Sequence, residues 1–150
     1  ANAFNEEANG HCWEKDDTDS NDWEWERKYE IDSLCYPLWL LHAYYEKTQD
    51  ARVFSAETKT AFRRILDTWK TEQRHDVDSS YYFRRVNCPL TDTLSNNGNG
   101  EPTAYTGMTW SGFRPSDDAC RYGYLVPSNM FASVVLGYLA EYASSQYKDD

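Results

Sequence analysis

The chain has no cluster of basic residues and no long apolar run. Its 150 residues include 15 Lys and Arg against 25 Asp and Glu, which gives a formal net charge of −10. Because the cations are scattered, no basic stripe is available to neutralise phosphates, which argues against nucleic-acid binding. An anionic membrane surface would repel the chain, and no apolar stretch approaches the roughly 18 to 20 residues that span a bilayer. A neutral or cationic substrate fits this composition better.

Glycine and proline are scarce, with 7 and 5 residues, whereas aromatic residues are frequent, with 6 Trp, 12 Tyr and 6 Phe. This composition argues for ordered structure rather than a disordered tail, and a chain of this length forms one core by default. The four cysteines lie far apart, without a CxxC pair or clustered histidines: Cys12, Cys35, Cys88 and Cys120. We therefore expect free, partly buried thiols and no zinc site.

Three segments have the periodicity of helices that pack against a core. In the first, apolar residues recur at steps of three and four from Tyr29 to Thr48, and Pro37 predicts either a kink or the true first turn. In the second, Ser55 is placed to cap a helix that runs to about Glu72. The third helix is predicted to follow a cap at Ser128 or Asn129. Together these segments predict a largely α-helical domain.

The segments between these helices are irregular. Tyr81 to Phe83 predicts a short strand, and Thr91 to Glu101 contains the run Asn96-Asn97-Gly98-Asn99-Gly100, which is typical of turns. Residues 105–124 have no clean period but many aromatic, Gly, Arg and Asp residues. A long irregular segment in a compact domain is usually functional or disordered, and this one is too aromatic for disorder. Function is therefore expected around Gly107 to Met130.

Two adjacent acids, Asp117 and Asp118, stand at the centre of this segment. Like charge and partial desolvation favour the protonated form of one carboxyl, and a glycosidase uses a neutral carboxylic acid to protonate its leaving oxygen. Arg114 can hold the other carboxylate ionised, and rings such as that of Trp110 suit the apolar faces of pyranoses. Alternatively, Ser116 and the two acids form a helix N-cap. Spacing alone does not decide between these interpretations.

A second acidic cluster, Glu30 and Asp32, lies where the first helix is predicted to begin. Acids in the first turn complement the helix dipole, so a functional interpretation requires them to point into a cleft. His42 falls on the apolar face of its helix and is expected to be a satisfied core histidine. His75 lies in polar sequence surroundings, where no special role is expected.

Three blocks of the sequence closely resemble glycoside hydrolase family 125, the metal-independent exo-α-1,6-mannosidases. The longest, GMTWSGFRPSDDACRYGYLVPSNMF, runs from Gly107 to Phe131, and WERKYEIDSLCYPL runs from Trp25 to Leu38. The opening ANAFN, Ala1 to Asn5, resembles the end of the family's Asp-Pro-Tyr-Ala-Asn-Ala-Phe-Asn stretch. The blocks keep the family's order, so the match is specific and covers the chain in outline.

The resemblance implies an all-α fold, an (α/α)6 barrel with two concentric layers of helices around a pocket. It also implies single-step inversion, in which one carboxylic acid protonates the leaving oxygen while a second carboxylate, roughly 6.5 to 9.5 Å away, activates water. Asp117 and Asp118 are adjacent and cannot be that pair, so one of them matches the general acid, and Asp117 is favoured. The candidates for substrate binding are Trp110 and Arg114, which lie in the same block, Glu30 and Asp32, which lie in the other long block, and, as a weaker candidate, Asn129.

The family's general base, a Glu toward the C-terminus, has no counterpart in the chain, and neither does the Trp-Leu-Arg-Asp motif that precedes ANAFN. With no initiator Met, this predicts that residues 1–150 are the middle segment of one catalytic domain, incomplete at both ends and lacking half of the catalytic pair. The expected substrate is a mannose-containing glycan, and no metal or organic cofactor is implied. Two alternatives stay open: a different (α/α)6 glycosidase, for which WERKYEIDSLCYPL would not be expected, and a non-catalytic sugar-binding helical domain.

Overall fold

The computed structural model describes residues 3–148, so the first two residues of the ANAFN block lie outside the described residues. Most of its regular structure is helical, which agrees with the predicted all-α class. None of the helices within residues 3–148 is long and apolar enough to cross a membrane. In chain order the elements are β1 (Ala3–Phe4), β2 (Glu24–Glu26), α1 (Ile31–Thr48), α2 (Ala56–Glu72), α3 (His75–Asp78), α4 (Ser95–Gly98) and α5 (Val126–Tyr142), with 3₁₀ turns at Ala51–Val53 and Leu90–Asp92 and a π-helical turn at Ala143–Tyr147.

A hydrophobic core lies among the three long helices, and each of them presents apolar residues to it at helical spacing. Burying a large apolar side chain stabilises the folded state by about 1.5 to 3 kcal/mol. The three packed helices therefore form a stable support for the loops at their ends. A second, smaller core lies beneath those loops and contains Tyr29, Phe83, Leu94, Trp110 and Phe113. The main core is formed by Ile31, Cys35, Leu38, Phe62, Ile65, Trp69, Ala132, Val135 and Leu139.

The first two helices begin close to the predicted positions. α1 starts at Ile31 and continues to Thr48, with Pro37 inside the helix rather than in its first turn. α2 has the predicted cap, because Ser55 Oγ accepts a hydrogen bond of 3.2 Å from the backbone N–H of Thr58. This interaction satisfies one of the N–H groups that have no acceptor within the helix.

The N-terminal end of α5 differs from the prediction. The helix begins at Val126, with Leu125 at the N-cap position and Pro127 in its first turn, so the predicted cap at Ser128 or Asn129 is wrong. Proline suits the first turn because the leading N–H groups of a helix have no internal acceptor. Ser128 is instead buried inside the helix.

The connection from α3 to α4 is a loop and not the predicted strand. Within the described chain, residues 81–83 belong to no strand, although Arg84 forms an isolated antiparallel bridge with Asp17. The turns predicted in the Asn-Gly run are confirmed, since Asn96 and Asn97 have φ values of 50° and 54°. Gly98 has a φ of 94°, and a Cβ there would lie 2.9 Å from the carbonyl oxygen of Phe83. This close approach explains the glycine.

Candidate active site

The two longest sequence blocks meet at the N-terminal end of α1. The backbone N–H of Phe113 donates to the carbonyl of Tyr29 at 3.0 Å, and the backbone N–H of Ile31 donates to Ser111 Oγ at 3.3 Å. Segments more than seventy positions apart in the sequence are therefore held side by side. This contact brings the acids of the first block to the same end of the helices as those of the second.

Asp117 and Asp118 lie in a tight loop that an antiparallel bridge between Phe113 and Ala119 closes. We call residues 113–119 the aspartate loop. Inside it, the Asp117 N–H donates to the carbonyl of Arg114 at 2.8 Å, and the Arg114 N–H donates to the carbonyl of Asp118 at 2.9 Å. Asp117 has a φ of 69°, a left-handed conformation that Asp tolerates better than most residues. The helix-cap alternative is wrong, because the next helix begins only at Val126.

The two carboxylates of the aspartate loop have different partners. Asp118 Oδ2 accepts hydrogen bonds from Arg114 Nη2 and from Ser116 Oγ, both at 2.9 Å. Its partners therefore belong to its own loop, and the predicted pairing of Arg114 with one of the acids is confirmed. Asp117 Oδ2 instead accepts a hydrogen bond of 2.8 Å from Lys28 Nζ. The side chain of Asp117 is 53% exposed, so it is open to a ligand as well.

Lys28 is a functional candidate that sequence reasoning missed. Its side chain is fully buried, and its ammonium also donates to the carbonyl of Asp117 at 2.9 Å and to Asp92 Oδ1 at 2.5 Å. Burial alone lowers the pKa of Lys28, but its hydrogen bonds with Asp117 and Asp92 and the nearby carboxylates raise it above the ordinary value overall. Lys28 lies beside Arg27 in the sequence, and no local pattern distinguishes the two.

Glu30 and Asp32 are both buried at the start of α1. Burial raises the pKa of Glu30, the negative charges of Asp32 and Asp117 raise it further, and a hydrogen bond from Ser33 Oγ opposes them. Burial also raises the pKa of Asp32. Asp32 Oδ1 has no hydrogen-bond partner among residues 3–148. Because a buried acceptor without a donor costs free energy, a ligand hydroxyl placed there would relieve that cost.

Trp110 is 1% exposed, so its faces are not available to stack on a sugar as the sequence suggested. Its ring stacks on the His75 ring, with centroids 3.6 Å apart and planes 4° apart, and lies nearly parallel to the Tyr29 ring, with centroids 6.2 Å apart. Its backbone N–H donates to the carbonyl of Glu72 at the end of α2, at 3.1 Å. Trp110 therefore shapes the site from beneath by anchoring the segment before the aspartate loop.

The expectation that His75 has no special role is wrong. The residue is 4% exposed, and its Nδ1 lies 2.6 Å from Glu72 Oε2 while its Nε2 lies 3.0 Å from the carbonyl oxygen of Asn99. Both ring nitrogens are thus engaged, and the imidazole fixes one face of Trp110. His42 is half-buried, with Nδ1 2.7 Å from the hydroxyl of Tyr142, which agrees with a satisfied histidine.

Gly123 packs so closely on Trp110 that a Cβ there would lie 2.2 Å from its Cδ1 atom. Gly123→Ala is therefore expected to destabilise the fold by about 1 to 3 kcal/mol, as overpacking of a core does. Gly137→Ala in α5 is the matched control, because nothing lies within 4 Å of its Cβ position and alanine favours a helix. Urea unfolding measures both. Equal effects of the two substitutions would contradict the packing argument.

Asn129 supports the loop before the site rather than facing it. Its Oδ1 accepts from the Thr109 N–H at 2.9 Å, and its Nδ2 donates to the carbonyls of Thr109 at 3.0 Å and Leu125 at 3.1 Å. The amide group therefore forms its hydrogen bonds with backbone groups, and little of its hydrogen-bonding capacity remains for a sugar. Asn129 also borders a cleft of about 510 Å³ between α2 and α5, whose lining includes no residue of the aspartate loop.

Comparisons with known proteins bear on this site. A model of the family described as metal-independent α-mannosidase (GH125) matches residues 1–149. The chain is 34% identical over 123 residues to the meiotically up-regulated gene 157 protein of Schizosaccharomyces pombe, a match that covers 76% of this chain and 24% of that protein. It is also similar to a solved Streptococcus pneumoniae structure from a family of metal-independent α-mannosidases, reported as a non-productive substrate complex with α-1,6-mannobiose. That similarity has 50% identity and a TM-score of 0.90, and covers 95% of this chain and 33% of the solved one.

Proposed function

The chain belongs to the metal-independent α-mannosidase family (GH125), and we propose that its parent enzyme removes terminal α-1,6-linked mannose from glycans with inversion. The observation that carries this proposal is the meeting of two acidic blocks at one end of the helices, where Asp117 lies near the buried Glu30. The relative bound to α-1,6-mannobiose supports the choice of linkage. The proposed substrate is a mannose-containing glycan.

In the proposed mechanism, Asp117 is the general acid: its Oδ2 accepts from Lys28, and its other oxygen, Oδ1, carries the proton that passes to the glycosidic oxygen as the bond to the anomeric carbon breaks. A second carboxylate takes a proton from water, which attacks that carbon from the opposite face and inverts it; this requires a separation of roughly 6.5 to 9.5 Å. Arg114 and Ser116 keep Asp118 in place within the loop. We propose that the general base lies in a part of the parent enzyme that this chain does not span, since the chain covers 33% of its solved relative.

We also propose that residues 1–150 are the middle segment of an (α/α)6 barrel. The exposed apolar side chains of two core helices support this proposal, because a soluble protein rarely leaves such surface uncovered. Further helices of the barrel would cover them. These side chains are Tyr36, Trp39, Leu40 and Tyr44 on α1 and Val126, Met130 and Val134 on α5.

Asp32 and Glu30 are proposed to bind sugar hydroxyls. Asp32→Asn keeps the shape of the side chain but removes a charged acceptor, and a hydrogen bond to a charged group contributes about 1.5 to 3 kcal/mol. We therefore expect KM for α-1,6-mannobiose to rise at least about tenfold. Asp67→Asn, at an exposed position of α2, is the matched control and should leave KM unchanged. An unchanged KM in Asp32→Asn would remove Asp32 from the sugar site.

The same substitution has an expected effect on stability. Since burial raises the folded-state pKa of Asp32, protonation stabilises the folded form below the unfolded pKa, and that contribution is lost as pH rises through the folded pKa. Asp32→Asn should therefore be at least as stable as the wild type at neutral pH, with a smaller loss of stability on raising the pH from acid to neutral. Thermal unfolding of both proteins between acid and neutral pH measures this difference in stability.

The direct test of the proposed function is hydrolysis of α-1,6-mannobiose by the full-length parent enzyme, followed by NMR at early times. Inversion predicts that β-mannose appears first and then mutarotates. Initial release of α-mannose would overturn the inverting mechanism, and an inert parent that still binds the disaccharide by calorimetry would favour the non-catalytic sugar-binding alternative. Faster hydrolysis of another glycosidic linkage would favour a different glycosidase on the same fold.

A further inference from the structure

We propose that Lys28 is a positioning residue that sets the aspartate loop for proton transfer. The inference rests on the proposed function, because it concerns the loop that carries the proposed acid. Lys28 contacts that loop at two points of one residue, the carbonyl of Asp117 at 2.9 Å and its Oδ2 atom at 2.8 Å. One ammonium thus fixes both the main chain and the side chain of Asp117.

The ammonium is itself held by a network of ion pairs. Asp92 accepts from Lys28 through Oδ1 and from Arg85 Nη1 through Oδ2, the latter at 2.7 Å. Arg85 also forms ion pairs with Asp16 at 2.6 Å and with Glu26 at 2.7 Å. The network therefore connects the N-terminal segment, the loop around residue 85 and the aspartate loop.

The backbone of the loop explains why such a support matters. Asp117 has a φ of 69°, a left-handed conformation that is uncommon for a residue with a side chain, although Asp tolerates it better than most. Its side chain is at the same time half exposed. A displacement of about 1 Å in a reacting group can cost about 100-fold in rate.

Stability alone is a weak explanation for a charge at this position. Lys28 is fully buried beside the ring of Phe113, with Nζ 5.0 Å from the ring centroid. Replacing a buried ion pair by apolar side chains of similar volume is often neutral or stabilising. The ammonium is therefore better explained by the groups it holds together, which are the carboxylate of Asp92 and both the carbonyl and the carboxyl group of Asp117.

The test is Lys28→Met in the full-length parent enzyme, assayed on two mannosides. α-1,6-Mannobiose needs a proton on its leaving oxygen, whereas 2,4-dinitrophenyl α-mannoside releases its leaving group without one. We expect kcat for the disaccharide to fall about 100-fold, with KM changed less than about threefold, and kcat for the dinitrophenyl mannoside to fall less than about tenfold. A purely structural role would lower both rates equally, and that result, or an unchanged rate on the disaccharide, would overturn the inference.

Two further variants keep the test decisive. Lys47→Met, at an exposed position in the last turn of α1, is the control and should leave both rates unchanged. If Lys28→Met does not fold, the double variant Lys28→Met with Asp92→Asn removes the carboxylate left opposite it and should show the same selective loss. Failure of both variants to fold would make Lys28 a folding residue and overturn the inference.

Failure of the proposed function would look different. A parent enzyme that hydrolyses neither mannoside removes the glycosidase proposal itself. A parent that hydrolyses both, with Lys28→Met equally impaired on each, leaves the glycosidase in place and removes only the role of Lys28.

Discussion

Under the proposed mechanism, replacing Asp117 by Asn in the parent enzyme is expected to lower kcat for α-1,6-mannobiose by about two to four orders of magnitude, the usual contribution of a general acid. The amide keeps the size of the side chain and can still meet Lys28, but it has no acidic proton to give to the glycosidic oxygen. The substitution should lower kcat for the 2,4-dinitrophenyl mannoside much less than kcat for the disaccharide, because the dinitrophenyl leaving group departs unprotonated. Steady-state kinetics on both substrates measure this difference.

Asp118→Asn is the matched variant at the neighbouring position. It weakens hydrogen bonds from Arg114 and Ser116, and a loss of about 1.5 kcal/mol for a charged hydrogen bond corresponds to roughly tenfold. Asp117 is expected to be the more sensitive because its contacts reach Lys28 in the other block, whereas those of Asp118 stay within the loop. The reverse order would make Asp118 the acid, and small equal losses would contradict acid catalysis by this loop.

Trp110→Ala is expected to destabilise the folded enzyme by about 3 to 5 kcal/mol, as the loss of a buried tryptophan does. The ring is stacked on His75 and packs near Tyr29, so its removal leaves a cavity in contact with both side chains. The loss should appear as a lower midpoint in urea unfolding with little change in slope. Activity of the fraction that stays folded should also fall, since Trp110 anchors the segment that leads to the aspartate loop.

Tyr122→Ala is the control for that prediction. Tyr122 is also aromatic and lies in the same irregular segment, but it is 74% exposed. Surface substitutions of this kind usually change stability by less than about 0.5 kcal/mol. A large loss for Tyr122→Ala or a small one for Trp110→Ala would contradict the burial on which the assignment depends.

The helices were predictable because their signal is local. Apolar residues on α2 recur every three or four positions and end in the core, and Ser55 lies directly before the helix that it caps. The pair of Arg114 with Asp118 was equally accessible, since its members are four positions apart. The start of α5 was not predictable, because Leu125 has no side chain that can cap a helix. The polar residues Ser128 and Asn129, which were the predicted caps, come after the true start of the helix.

The parts of the site that the sequence did not predict depend on contacts between distant segments. Lys28 lies 64 positions from Asp92 and 89 from Asp117, and no periodicity relates them. The burial of His75 likewise depends on Trp110, whose ring folds back onto it from a later loop. A tryptophan in the same loop segment as two acids, such as Trp110, is typical of a residue that stacks on a sugar ring. Close packing against Gly123 and His75 instead places it in the core.

The long reach of Lys28 has a consequence for how such sequences can change in length. Its ammonium closes chain loops of 64 and 89 positions, and for loops this long each doubling of length costs only about 0.6 kcal/mol of closure entropy. Residues can therefore be gained or lost in the connections between the helices at little cost while the ion pairs hold the ends. Under the proposed mechanism, insertions and deletions can therefore change the rim of the site while Lys28 keeps Asp117 in position.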